Sequence, residues 1–155
     1  MEKLIQSKKS LLISSLNKEG LPEISYAPFV MINDEIYVYL SKAANHYYNL
    51  SDNKKCSVMV IEDESEAKVI FARQRVSFEC EATKLANIDE DVFNKFSEIH
   101  GDSMMMALKN LDFDMFKLTL KKGRLVQGFG KAYDVVFEDG SYELVPVTGI
   151  GHKNK

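Results

Sequence analysis

Apolar and polar residues alternate at a period of two along much of this chain, the pattern of strands with one buried face. Residues 11–16 (Leu-Leu-Ile-Ser-Ser-Leu) lead into a turn at Asn17-Lys18-Glu19-Gly20. Residues 23–31 set Ile24, Tyr26 and Val30 against Ser25, Ala27 and Phe29, and Asn33-Asp34 turns the chain into residues 36–40. These three runs predict an antiparallel meander. Further strands are expected over 56–61, 69–85, 114–120 and 125–138, with Asp139-Gly140 turning the chain back into 142–147.

The period changes in three places. Residues 42–50 carry Ala43, Ala44, Tyr47 and Leu50 at helical spacing, with Ser41 as the expected N-cap. Asn87 followed by Glu90 resembles a capping box, and Ile88, Val92, Phe96 and Ile99 form an apolar stripe that Gly101 can end. A short helix over 103–111 holds Met104, Met105 and Met106, read as flexible core filling rather than a ligand set. Many strands with few helical interruptions predict an α+β fold, a Greek-key barrel with helices packed outside it. Side chains fill the inside of so small a barrel, so a ligand would sit on its outside or between subunits.

Composition narrows the function. With 155 residues, 45% hydrophobic and 28% charged, the chain is expected to be one domain over 1–155 with a tail at 148–155. A net charge of −3 and the absence of a basic patch argue against nucleic acid as a partner. No apolar run approaches the roughly 20 residues of a membrane-spanning helix. The first residues lack a signal peptide's apolar centre, so a cytoplasmic location and no membrane partner are expected. Cys56 and Cys80 fall in expected strands without metal-ligand spacing and read as small buried apolar residues.

The run Phe71-Ala72-Arg73-Gln74-Arg75-Val76-Ser77-Phe78-Glu79-Cys80-Glu81-Ala82 carries the most chemistry. Read as a strand, it places Arg73 and Arg75 on one face with Ser77 and Glu79, opposite an apolar face. Two guanidinium groups so close repel unless anions sit nearby. Surface carboxylates would satisfy them; so would the acid groups of a ligand. Gly128-Phe129-Gly130 lacks the third glycine and following helix of a dinucleotide site.

Several segments in order carry a resemblance: Tyr26-Ala27-Pro28-Phe29-Val30, Leu40 through Leu50, Glu62-Asp63-Glu64, Phe71 through Arg75, and Gly128-Phe129-Gly130-Lys131-Ala132-Tyr133. Together they resemble the pyridoxamine-phosphate-oxidase-like split-barrel superfamily, and within it the haem-utilisation branch of haem-degrading proteins (HugZ/HutZ-type). That resemblance implies a six-stranded split β-barrel, a homodimer, and a cofactor site at the dimer interface. It implies haem as ligand and substrate, oxidative opening of the porphyrin with release of iron, and an external electron donor. The alternatives are an FMN-binding flavoprotein and a non-catalytic haem carrier.

The same resemblance assigns roles. His152, in the tail Val147-Thr148-Gly149-Ile150-Gly151-His152-Lys153, becomes the expected axial ligand of the haem iron. Asp112, or Asp114 beyond it, would hold the free nitrogen of that imidazole; either could instead be a turn residue. Arg75, with Arg73 as the other option, would anchor a propionate or donate to iron-bound oxygen from the opposite side. Lys131 is a further propionate partner. His46 lies near the expected cofactor rim, or is structural, and His100 ends a helix and reads as structural. Tyr47-Tyr48 stands where smaller or basic residues are common among flavin-binding members, and the basic phosphate pocket is thin, which weakens the FMN reading.

Overall fold

The computed structural model describes residues 1–147. Among the described residues are eight antiparallel strands: β1 (Ser10–Leu16), β2 (Pro22–Ile32), β3 (Glu35–Ser41), β4 (Lys55–Ile61), β5 (Arg75–Lys84), β6 (Phe113–Gly128), β7 (Lys131–Glu138) and β8 (Ser141–Pro146). Their order is β3-β2-β1-β4-β5-β6-β7-β8, and a β3–β6 pairing closes the first six into a barrel. β7 and β8 extend from the later part of β6 as a ribbon. Four α-helices among the described residues flank the sheet: α1 (Glu2–Gln6), α2 (Asn45–Asp52), α3 (Glu90–His100) and α4 (Asp102–Lys109).

Strand alternation builds two cores. Inward positions such as Ile13, Val38, Val58, Val76, Phe78 and Phe116 fill the barrel. A second cluster lies outside it, where Val92, Phe93, Phe96 and Met105 of α3 and α4 cover Val30, Tyr39 and Met115. The ring of Phe93 meets Tyr39 edge-on, with centroids 6.3 Å apart. α2 packs over one end of the barrel through Tyr47 and Leu50, and the short α1 adds Leu4 and Ile5 to the same core.

Two of the three predicted turns, Asn33-Asp34 and Asp139-Gly140, are of the primed kind. Asn33 and Asp34 have φ of 51° and 61°, and Asp139 and Gly140 have 49° and 78°. Positive φ at both central residues matches the right-handed twist of the flanking strands. Gly123 serves close approach instead: a Cβ there would lie 2.7 Å from Phe78 Cδ1 and 2.7 Å from the Ser77 carbonyl oxygen.

Several boundaries differ from the sequence reading. The long strand expected over 69–85 is only β5; Ile70–Ala72 forms a 3-10 turn and Arg73 lies outside the ladder. Arg73 and Arg75 therefore do not share a strand face. The helix expected over 42–50 starts at Asn45, because Ser41 ends β3 and its hydroxyl accepts from the Ala43 N–H in a tight turn. Asp89, not Asn87, caps α3, accepting from the N–H groups of Asp91 and Val92. β6 runs unbroken through residues 121–124, and the break falls at the Gly128–Lys131 turn. Within the Met104-Met105-Met106 run only Met105 is buried; Met104 and Met106 are exposed. Cys80 is buried while Cys56 is partly accessible. Among the described residues no helix is long and apolar enough to cross a membrane.

Candidate functional site

Register maps the outward-facing side chains. Tyr26 pairs with Leu12, Leu12 with Met59, and Met59 with Ser77, in one row across β2, β1, β4 and β5. Ile24 lies two residues before Tyr26 on the same face, and Ile61 two after Met59. These positions are apolar yet uncovered: Ile24 is 74% exposed and Tyr26 67%. A hollow of about 590 Å³ runs over Leu12, Tyr26, Met59 and Ile61, with Lys8 and Lys9 at its rim.

Arg75 stands directly opposite Ile61 at the start of β5, outward like Ser77 and Glu79. One of its N–H groups donates to the Arg73 carbonyl at 2.9 Å. Neighbouring cations on β6 are matched: Arg124 with Asp134 at 2.9 Å, Lys122 with Glu79 at 3.6 Å, Lys121 with Glu81 at 3.8 Å. Among the described residues, neither Arg75 nor Lys131 has a carboxylate within 4.0 Å. Lys131 sits at the same end of the sheet, since Arg75 faces Val126, Val126 faces Ala132 and Gly128 faces Lys131.

Arg73 is already occupied. Its guanidinium donates twice to the Glu62 carbonyl, at 2.6 and 3.1 Å, and approaches Glu64 at 3.7 Å. The Glu62 carboxylate in turn accepts from the Gln74 N–H at 2.8 Å. This clamp holds the β4–β5 connection and so sets the direction in which Arg75 leaves it.

The remaining expected residues gather around α2, His46 beside Ile24 and Tyr26 and the two aspartates at the start of β6. His46 Nδ1 lies 2.9 Å from the Ser25 hydroxyl, and burial holds its imidazole below the usual range. Asn49 donates to the Glu23 carboxylate at 2.7 Å and to the Ser15 hydroxyl at 3.1 Å. The Tyr47 hydroxyl donates to the Asp114 carboxylate; burial and that partner push Tyr47 up to about 12. Lys42 Nζ lies 4.0 Å from Asp114, and the Lys42 N–H donates to the Asp112 carbonyl at 2.8 Å. Asp112 is itself exposed. Twelve residues of β6 separate Asp114 from Val126 opposite Arg75, roughly 40 Å along the strand. One chain therefore does not bring Arg75 and Asp112 together.

His100 behaves as expected for a structural residue: its Nε2 lies 3.0 Å from the Phe29 carbonyl and its ring packs on Phe96. His152 lies outside the described residues. Among the described residues no group of three or more His, Cys, Asp or Glu side chains is placed to hold a metal ion. The sequence reading missed the uncovered face of Leu12, Ile24 and Tyr26. Its signal was present: alternation in which both sets of positions are partly apolar.

The family model described as pyridoxamine 5'-phosphate oxidase matches residues 1–127. The Heme oxygenase HutZ of Vibrio cholerae is 36% identical over 137 residues, covering 86% of this chain and 78% of that protein. The chain belongs to the pyridoxamine 5'-phosphate oxidase family, in its HutZ-like haem-utilisation branch. A crystal structure of Campylobacter jejuni ChuZ superposes with a TM-score of 0.85 at 31% identity, covering 99% of this chain. The chain spans 63% of the ChuZ chain's length. A HutZ structure from Vibrio cholerae, described as a heme storage protein, gives a TM-score of 0.72 at 35% identity, covering 77% of this chain and 86% of that one. The likeness agrees with the antiparallel barrel and flanking helices described above.

Proposed function

We propose that this protein binds haem on the uncovered barrel face, as a homodimer, and opens the porphyrin ring oxidatively to release iron. The observation that carries the reading is Arg75, a cation without an acid partner among the described residues, beside an exposed apolar surface. A flat ligand with apolar faces and acidic edges matches that chemistry: Leu12, Tyr26, Met59 and Ile61 supply contact, and Arg75 and Lys131, at the Ile61 end of the sheet, supply charge. Lys42 is the one basic residue in the turn before α2, and Asp114 stands 4.0 Å away, so this turn offers little to an FMN phosphate.

Haem, when bound, supplies the iron at which dioxygen is reduced and is itself the substrate. Arg75 holds an acidic edge or donates a hydrogen bond to developing negative charge. Lys131 takes a second acidic edge. Arg73 positions Arg75 through the connection it clamps. His152 is the proposed axial ligand; Val147, whose N–H donates to the Ala132 carbonyl at 2.9 Å, leaves the sheet at the Arg75 end. His46 shares a hollow with Ile24 and Tyr26 of the uncovered face, whereas Asp112, at the far end of β6, joins that site only from a second subunit. This favours a site shared across a dimer, and an uncovered apolar face is the surface a dimer would bury.

Haemin titration tests the reading. We expect a strong Soret band that decays with a reductant as bile pigment and free iron appear, the electrons coming from an external donor. Arg75→Ala should slow the decay or weaken binding while histidine ligation persists in the spectrum. His152→Ala should shift the band and abolish ring opening. A stable band that never decays would leave a carrier, and a yellow, fluorescent protein would instead be a flavoprotein.

A further inference from the structure

Cys56 of β4 and Cys80 of β5 are directly opposite each other in the antiparallel ladder, both facing into the barrel near the end that α2 covers. Ala82 donates its N–H to Lys54 at 2.8 Å and Glu62 to Gln74 at 2.9 Å, so pairs two residues apart exchange hydrogen bonds and Cys56–Cys80 is one of these. Cα atoms in such pairs stand about 5.5 Å apart, inside the range of roughly 4.4–6.8 Å that a disulfide bridges. Both thiols are free. Cys80 is buried, and Cys56 is partly accessible.

We propose that Cys56 and Cys80 form a dithiol that a hydroperoxide closes to an intramolecular disulfide. Cys56, the more accessible sulfur, reacts first. The adjacent Cys80 side chain holds Cys56 below its ordinary range, and the same contact with burial pushes Cys80 up. The Cys56 thiolate takes one peroxide oxygen as the O–O bond breaks, giving a sulfenic acid, and the departing hydroxide takes a proton to become water. The Cys80 sulfur gives up its proton and attacks Cys56, forming the S–S bond and expelling a second hydroxide, which that proton converts to water. Two thiols and one hydrogen peroxide become one disulfide and two waters; the sulfurs lose the two electrons that cleave the O–O bond. The bridge encloses residues 57–79, the segment holding Arg73 and Arg75, so oxidation staples the strands that carry the proposed binding face.

Haem-free, fully reduced protein treated with one equivalent of hydrogen peroxide tests this without reference to haem. Non-reducing intact mass should fall by two hydrogens, peptide mapping should join the Cys56 and Cys80 peptides, and dithiothreitol should restore both thiols. Cys80→Ala should gain oxygen at Cys56 instead, and Cys56→Ser should keep its mass. Wild-type protein that gains oxygen at Cys56 while Cys80 still alkylates, or that shows no mass change, overturns the proposal.

Discussion

The outer surface of the barrel has two halves with the same strand alternation and opposite fates. Over β3, the end of β2 and the start of β6, outward Val30, Tyr39 and Met115 are buried beneath α3 and α4. Over β1, β4 and the start of β2, outward Leu12, Ile24 and Tyr26 stay in water. Both surfaces gain from leaving water. The chain supplies a cover for one and none, among its described residues, for the other. Uncovered apolar surface of this kind marks a partner or ligand, and Arg75 at its border makes an acidic amphiphile the better match.

The difference can be broken or sharpened by substitution. Phe96→Ala, beneath the helical cover and only 1% exposed, should lower stability by about 3–5 kcal/mol. Urea unfolding followed by circular dichroism measures it; a loss under ~1 kcal/mol would mean the helices cover the barrel without holding it. Gly123→Ala tests the barrel interior between β5 and β6 instead. With backbone and Phe78 only 2.7 Å from the new carbon, we expect about 1–3 kcal/mol of destabilisation.

A smaller effect is expected at His46. Burial lowers its folded pKa, so in the window between that value and its ordinary one near 6.5 the unfolded chain binds the extra proton. Stability should therefore fall as pH drops through about 6.5 and level off below the folded value. His46→Gln should flatten that part of the stability–pH curve, and an unchanged slope would reject the assignment. Smallest of all on unfolding is Tyr26→Asp, within about 0.5 kcal/mol for the separated subunit. Its readout is sedimentation: we expect a folded monomer in place of the dimer proposed for the wild type, and an unchanged dimer would remove this face from the interface.

What could be read in the sequence follows the same division. Strands with one face inside the barrel, such as β1 and β3, announced themselves because burial enforces the period of two. The stretch Val69-Ile70-Phe71 misled for the converse reason. Its residues favour strands, yet Phe71 is 88% exposed. The shape there comes from Glu62, whose carbonyl and carboxylate capture Arg73 and the Gln74 N–H from across the connection. No local propensity encodes that contact. Asp89 prevailed over Asn87 by a shift of only two residues, within the ordinary uncertainty of helix ends. At the candidate site, Arg75 kept the outward position that alternation gave it. Asp112 and Asp114 were not separable by sequence, because only the packing of α2 shows that Asp114 meets Tyr47 and Lys42.

β6 has a mechanical consequence. Its sixteen residues form barrel wall against β3 and then the base of the β7–β8 ribbon as one continuous strand, with a bulge at Lys121 where the two meet. The β5–β6 ladder spans that transition, interrupted only by the irregularity at Glu79/Cys80. The ribbon is therefore a cantilever, not a hinged flap. Swinging it as a unit would require tearing part of that ladder, so the point where Val147 leaves the sheet moves only as far as the barrel wall itself bends.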